Sequence, residues 1–170
     1  GEIESGNVAI CGDRIAGVGD YHQAKKVLDL SSKYLAPGLI NGHTHLESSM
    51  LDIGQYARAV VPRGTLTLVT DLHEIANVRG LEGIRYVLNY ARRLPLELFL
   101  MAPACVPATH LETAGASISP QDIRRVLRWQ NTIGLGEVMN FPGVIGGDAG
   151  ILSKIDLAKG KIIDGHAPGV

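Results

Sequence analysis

His43 and His45 stand one residue apart in the run "PGLINGHTHLESSM", directly after apolar residues. On a β-strand, residues i and i+2 share a face, so an H-x-H pair closing a strand aims two imidazoles at one point, an arrangement suited to a metal ion. Three further runs put polar donors after apolar stretches: Asp71 and His73 in "TDLHEIANV", Glu137 in "GLGEVMNFPGV" and His166 in "IDGHAPG". A carboxylate at Glu137 can bridge two divalent cations through its two oxygens, and His166 can bind the second. Imidazole and carboxylate without thiolate suit Zn, Fe or Mn. A bound cation lowers the pKa of water from about 15.7 to about 7, so the chemistry implied is metal-assisted hydrolysis.

Plainer readings stand beside these. Glu137 also suits the acidic first turn of a helix, and His166 a loop position before Pro168. Asp71, His73 and Glu74 fit the cap and first turn of a following helix. "HEIAN" is not H-E-x-x-H, because Asn77 stands where the second His belongs. H-x-E occurs at His45 and His110, yet no P-C-x-x-C accompanies it, so a cytidine-deaminase type of zinc site is absent. His22 and His110 stand alone and read as surface or hydrogen-bonded residues.

The elements that must position these groups follow from apolar periodicity. Residues 1–33 hold short apolar triplets, "VAI" and "IAGVG", broken by the turn-type clusters "ESGN" and "CGDR", and read as a small antiparallel β element. Residues 34–170 alternate strand-like runs, "YLAPGLIN", "TLTLVTD", "LELFLMAP", "TIGLGEV" and "KIIDGH", with helix-like segments, "DIGQYARAVV", "LEGIRYVLNYARR", "SPQDIRRVLRW" and "DAGILSKIDLA". Ser119 followed by Pro120 is a helix start with a mechanism. His43, His45, Asp71, His73, Glu137 and His166 all fall at or just past strand C-termini, where (β/α)8 barrels gather their active sites. A doubly wound sheet would show a Gly-rich phosphate loop, and "NGHTHLESS" is none. The expected fold is α/β, the first part of a (β/α)8 TIM barrel with about five strands, since a whole barrel takes about 250 residues. Gly1 in place of an initiating Met points to a missing upstream piece.

Composition narrows the partners. The chain of 170 residues is 45% hydrophobic and 19% charged, enough for a buried core, with a formal net charge of -1. No block of like charge suggests nucleic acid or an anionic membrane, and no apolar run reaches the roughly 18 residues of a membrane span. Two separated cysteines, Cys11 and Cys105, indicate neither a disulfide framework nor a Cys-rich zinc site, and a cytoplasmic setting fits.

At this level of detail "PGLINGHTHLESSM" resembles the first-strand signature of the amidohydrolase superfamily, and its trailing "ESSM" the adenine deaminase branch. "GTLTLVTDLHEIANV", "ACVPATHLETAGA", "GLGEVMNFPGVIGGD" and "IDGHAPG" are similar to motifs of that branch in order and spacing. "VAICGDRIAGVGD" resembles the β-sandwich that precedes the barrel in these enzymes, so residues 1–33 are expected to be a partial sandwich domain and 34–170 an incomplete barrel domain.

The resemblance implies hydrolytic deamination of adenine to hypoxanthine and ammonia in purine salvage, at a binuclear site holding Mn or Fe, with Zn as a further candidate. His43 and His45 match the first-strand ligands, Glu137 the bridging carboxylate and His166 the fifth-strand ligand. Glu137 stands where dihydroorotases and hydantoinases commonly carry a carboxylated lysine, which favours the deaminase branch. Asp71, His73 and Glu74 match a catalytic motif beside the site, with His73 handling a proton or orienting the purine. Asn41 stands where the family usually has Asp, and Leu72 where Pro is common. A sixth-strand His and an eighth-strand Asp of the family would lie beyond Val170. The isolated chain is therefore expected to have an incomplete site, to be inactive or nearly so, and to form homo-oligomers or associate with the missing barrel portion. Another amidohydrolase acting on cyclic amides, and a non-catalytic remnant that binds metal or a partner, are the alternative readings.

Overall fold

The computed structural model describes residues 3–31 and 33–168; Gly1, Glu2, Ser32, Gly169 and Val170 lie outside the described residues, and with them the reading of Gly1 as a start. The chain divides into two compact units, Gly1–Pro37 and Gly38–Val170. In the first, β1 (Asn7–Cys11) and β2 (Arg14–Gly19) pair antiparallel, with Cys11 opposite Arg14. The two-residue connection needs a positive φ, and Gly12 supplies it at 63°.

The second unit is a five-stranded parallel sheet in sequential order: β3 (Leu39–Asn41), β4 (Thr65–Thr70), β5 (Glu97–Pro103), β6 (Thr132–Val138) and β7 (Ile162–Gly165). Helices connect them: α1 (Ile53–Val60), α2 (His73–Ala91), α3 (Pro120–Val126), α4 (Phe141–Gly146) and α5 (Ala149–Leu157). Sequential parallel strands joined by helices make this an open arc of a (β/α)8 barrel, the expected fold class. Strand β3 is shorter than the run "YLAPGLIN" suggests, because Pro37 has no N–H to give a ladder.

Helix starts follow side-chain chemistry. Asp52 Oδ1 accepts from the Gln55 N–H at 2.9 Å, and Ser119 and Asp122 form a reciprocal capping box before Pro120. Asn140 Oδ1 and Asp148 Oδ1 accept from the N–H groups of Gly143 and Ile151. Helix α2 starts earlier than its apolar period suggests and is broken at Gly80, whose φ of 56° and ψ of -143° are non-helical. A Cβ there would meet the Ala116 Cβ at 3.3 Å.

The core lies on the helix-bearing face of the sheet. Leu68, Leu98, Leu100 and Leu135 pack there with Ile53, Ile84, Ile123 and Ile151. Burying each such side chain contributes about 1.5–3 kcal/mol. By alternation Thr67, Val69, Phe99 and Met101 point to the opposite, concave face. The two outer strands are poorly covered: Leu39 is 62% and Ile162 58% exposed. No helix among the described residues is long and apolar enough to cross a membrane.

Candidate metal centre

Four strand ends deliver the polar groups. Beyond β3 the chain stays beside β4, because the Thr44 N–H donates to the Val69 carbonyl at 3.0 Å. Asn41 Oδ1 accepts from the His43 N–H at 3.3 Å, so the residue that replaces the expected Asp still serves as an acceptor, for backbone rather than for a ring. His43 and His45 then place their Nε2 atoms 3.1 Å apart.

Asp71 follows β4 directly and is 1% exposed. Leu72 takes a left-handed φ of 55°, which turns the chain into α2 and brings His73 back beside Asp71. His73 Nδ1–H donates to Asp71 Oδ2 at 2.9 Å. Asp71 Oδ1 lies 3.2 Å from His45 Nδ1, out of line for a hydrogen bond, so that buried nitrogen has no hydrogen-bond partner. Burial opposes ionisation of Asp71, but the His73 hydrogen bond and the neighbouring His73 and His45 outweigh it, and the carboxyl sits below its ordinary value. The hydrogen bond to Asp71 raises the His73 pKa against the opposing effect of burial, and the charges of Asp71, Glu137 and Glu74 add to the rise.

Glu137 reaches the site through a backbone irregularity. Gly136 belongs to the concave face, since a Cβ on it would lie 2.6 Å from the Met101 Cβ and 2.9 Å from the Asp71 Cβ. Plain alternation would turn Glu137 the other way. Between the pairs Leu135↔Ile163 and Val138↔Gly165, β6 carries one residue more than β7, and Glu137 adopts a φ of 33°. A bulge of this kind re-aims a side chain. A left-handed non-glycine residue costs of order 1–3 kcal/mol and persists only where its surroundings hold it.

The result is a ring of donors around Glu137. Its Oε1 lies 3.4 Å from His43 Nε2 and 3.4 Å from His166 Nε2, and its Oε2 lies 3.4 Å from His45 Nε2 and 3.7 Å from His73 Nδ1. Two ligands about 2.1 Å from one cation, subtending about 90–110°, stand about 3.0–3.4 Å apart, so the three 3.4 Å spacings to His43, His45 and His166 fit a shared divalent ion, while the His73 Nδ1 at 3.7 Å is turned to Asp71. The donor chemistry agrees, being nitrogen and carboxylate oxygen only. A carboxylate hydrogen-bonded behind a ligating imidazole is a usual support for such a ligand, and Asp71 Oδ1 stands near that position at 3.2 Å from His45 Nδ1 without being aligned for the bond. His45, Asp71, His73 and Glu137 each offer an atom within 4.8 Å of the others, a group able to hold one divalent cation.

Each expected residue has a definite place. His43, His45, Glu137 and His166 meet around the Glu137 carboxylate, and Asp71 and His73 join the same group. Glu74 sits to one side, its Oε1 accepting from Ser48 Oγ at 2.6 Å. His22 faces Asp20 on an exposed surface at 2.7 Å, and His110 is exposed. Two acids near the site escaped the sequence reading. Glu47 Oε1 accepts from the Ile75 N–H at 3.3 Å, and burial, then Glu74 and Asp71, push its carboxyl up. Asp164 Oδ1 accepts from the Glu137 N–H at 2.7 Å. The signal for Asp164 was an acid inside the apolar run "KIIDGH". A cavity of about 640 Å³ lies at the N-terminal ends of β5 and β6, lined in part by Arg85, Arg92 and Trp129, and shares no residue with the donor group.

Known proteins resemble the chain closely. An adenine deaminase of Dehalococcoides mccartyi (strain CBDB1) is 64% identical over 99% of this chain and 30% of the relative. "Adenine deaminase 2" of Carboxydothermus hydrogenoformans is 48% identical, and an adenine deaminase of Methanothrix thermoacetophila 49%, each over 100% of this chain and 30% of the relative. The chain thus spans 30% of the length of these curated relatives. The model of the amidohydrolase family matches residues 34–169, the stretch that carries every donor described above. With that match covering most of its length, the chain belongs to the amidohydrolase family.

Proposed function

We propose that the chain is the metal-binding portion of a hydrolytic adenine deaminase, which converts adenine and water to hypoxanthine and ammonia. The observation that carries the hydrolytic reading is the meeting of imidazole and carboxylate donors around Glu137 at strand C-termini. The choice of adenine rests on the names of the relatives that are 48–64% identical.

In this reading His43, His45, Glu137 and His166 hold a binuclear centre, Mn or Fe first and Zn third. Bound cations would supply Lewis-acid activation of water. Asp71 fixes the His73 tautomer by accepting its Nδ1–H, which leaves Nε2 free to take or give a proton at the purine. Glu74 holds the Ser48 turn against the start of α2, and so keeps the H-x-H run and His73 in one frame. The half-covered outer strands β3 and β7 have unpaired ladder groups and exposed apolar residues, which suit further (β/α) units or a second copy of the chain. The partial β-sandwich assignment of residues 1–33 belongs to the same proposal, as does a place in cytoplasmic purine salvage.

The test uses the longest open reading frame that contains this chain, loaded with Mn or Fe. About two metals per chain, with hypoxanthine and ammonia formed in equal amounts from adenine and lost on chelation, are expected. Metal-loaded protein that leaves adenine intact while hydrolysing hydantoin or dihydroorotate overturns the substrate assignment.

A further inference from the structure

Glu137 owes its direction to a backbone conformation that its own sequence does not favour. The bulge leaves its N–H outside the regular β6–β7 ladder, and the residue stands at a φ of 33°. A backbone N–H removed from a ladder needs another acceptor. Asp164, on β7 between the paired residues Ile163 and Gly165, provides it: its Oδ1 lies 2.7 Å from the Glu137 nitrogen. The Glu137 carbonyl is used as well, accepting from the Met139 N–H at 2.7 Å. The peptide groups on both sides of the bulged residue are therefore held.

The other Asp164 oxygen, Oδ2, faces His43 Nδ1 at 3.9 Å, too far for a hydrogen bond but close enough to favour a ring turned that way. The same ring presents Nε2 to Glu137 Oε1 at 3.4 Å. One carboxylate on β7 thus touches the main chain of one donor and stands behind the imidazole of another. It does so from a side chain 40% exposed, with its contact to the bulge made through a short, charge-assisted hydrogen bond.

We infer that Asp164 is a positioning residue: it clamps the Glu137 peptide in the bulged, left-handed conformation and so sets the carboxylate among the imidazoles. The inference rests on the metal-site reading above for its consequence, but the clamp itself exists without metal. No ligation by Asp164 is involved. Its work is to accept one N–H.

Two variants separate the acceptor from the charge. Asp164→Asn keeps an acceptor of the same reach, and Asp164→Ala removes it. In the longest open reading frame that contains the chain, hydrogen exchange at the Glu137 amide is measured on metal-free protein, and Mn affinity is measured alongside. Asp164→Ala should speed exchange by about tenfold or more, and Asp164→Asn by less than about tenfold, the scale of a lost charge-assisted hydrogen bond. Mn affinity should fall in the same order, by about 10- to 100-fold in the alanine variant. Exchange in Asp164→Ala less than about tenfold faster than in the parent overturns the clamp, as does Asp164→Asn exchanging about tenfold faster or more. If the alanine variant does not fold, the asparagine variant decides by the same threshold. A parent protein that takes up no Mn sinks the metal-site reading, while the exchange result still judges the clamp.

Discussion

Replacing Gly136 with alanine is the sharpest probe of how the sheet holds the donor group. The added Cβ would stand 2.6 Å from the Met101 Cβ and 2.9 Å from the Asp71 Cβ, both well inside the roughly 3.5–4.0 Å of carbon–carbon contact. Neither neighbour is the free end of a flexible side chain. Each Cβ is fixed to the backbone of β5 or the end of β4, so relief requires one of those backbones to move. Overpacking of this kind costs about 1–3 kcal/mol. At roughly 2–4 °C per kcal/mol for a domain of about 150–250 residues, the melting temperature should fall by about 2–12 °C. Because Asp71 holds the His73 ring and backs His45, Mn affinity should fall in the same variant. Thermal melts with and without Mn, on Gly136→Ala and parent protein, measure both. A variant that melts within about 1 °C of the parent and binds Mn equally well would refute the close approach of β4, β5 and β6 at this point.

Other perturbations test the site and its scaffold. His45→Ala removes one of the two facing Nε2 atoms and should lower Mn affinity by at least about tenfold, seen by metal titration. Chelation should lower the melting temperature of the parent, because a ligand bound only by the folded state stabilises it. Ser119→Ala breaks the capping box of α3 and should cost about 1 kcal/mol in denaturant unfolding. The Asp122 carboxyl in that box is held below its ordinary value first by the Ser119 hydroxyl. Its contribution is therefore fully present above the unfolded pKa of about 3.9 and is lost as pH falls through the lower folded value. The gap in melting temperature between parent and Asp122→Asn should be constant from about pH 5 to 7 and narrow below about pH 4.

Much of the site was legible because its donors sit where strands end. The H-x-H spacing, the acid near the end of "TIGLGEV" and the His that closes "KIIDGH" each announce a strand C-terminus, and the sheet brings those ends together. The strand Thr132–Val138 and the α3 start at Ser119 and Pro120 were readable for the same reason, a clear period and a clear cap. What stayed hidden depends on long-range fit. Nothing local marks the bulge that turns Glu137 inward, and the acid that receives its N–H is 27 residues away. The first turns of α2 begin at Leu72 with no side-chain cap; the acids around His73 allowed a helix start there, but only the later apolar period marked the helix by its rhythm. Helix α4 is six residues long, with Gly143 and Gly146 among them, and carries little apolar rhythm; its only cues were end signals, the Asn140 cap, Pro142 in the first turn and Gly147 past the end.

The break in α2 at Gly80 divides labour along a single helix. The segment before it is tied within itself, Asn77 Nδ2 donating to the His73 carbonyl, and stitched to the loop after β5, the Asn77 carbonyl accepting from the N–H groups of Gly115 and Ala116. The segment after it supplies Ile84, Val87 and Ala91 to the core. His73 is thereby part of the floor of the site rather than of the wall behind it. A tilt of the turns after the break need not turn the imidazole, because the helical path is interrupted at Gly80 and the first turns keep their own short-range bonds. One glycine separates the turns that hold His73 from the turns that carry most of the helix's buried apolar residues.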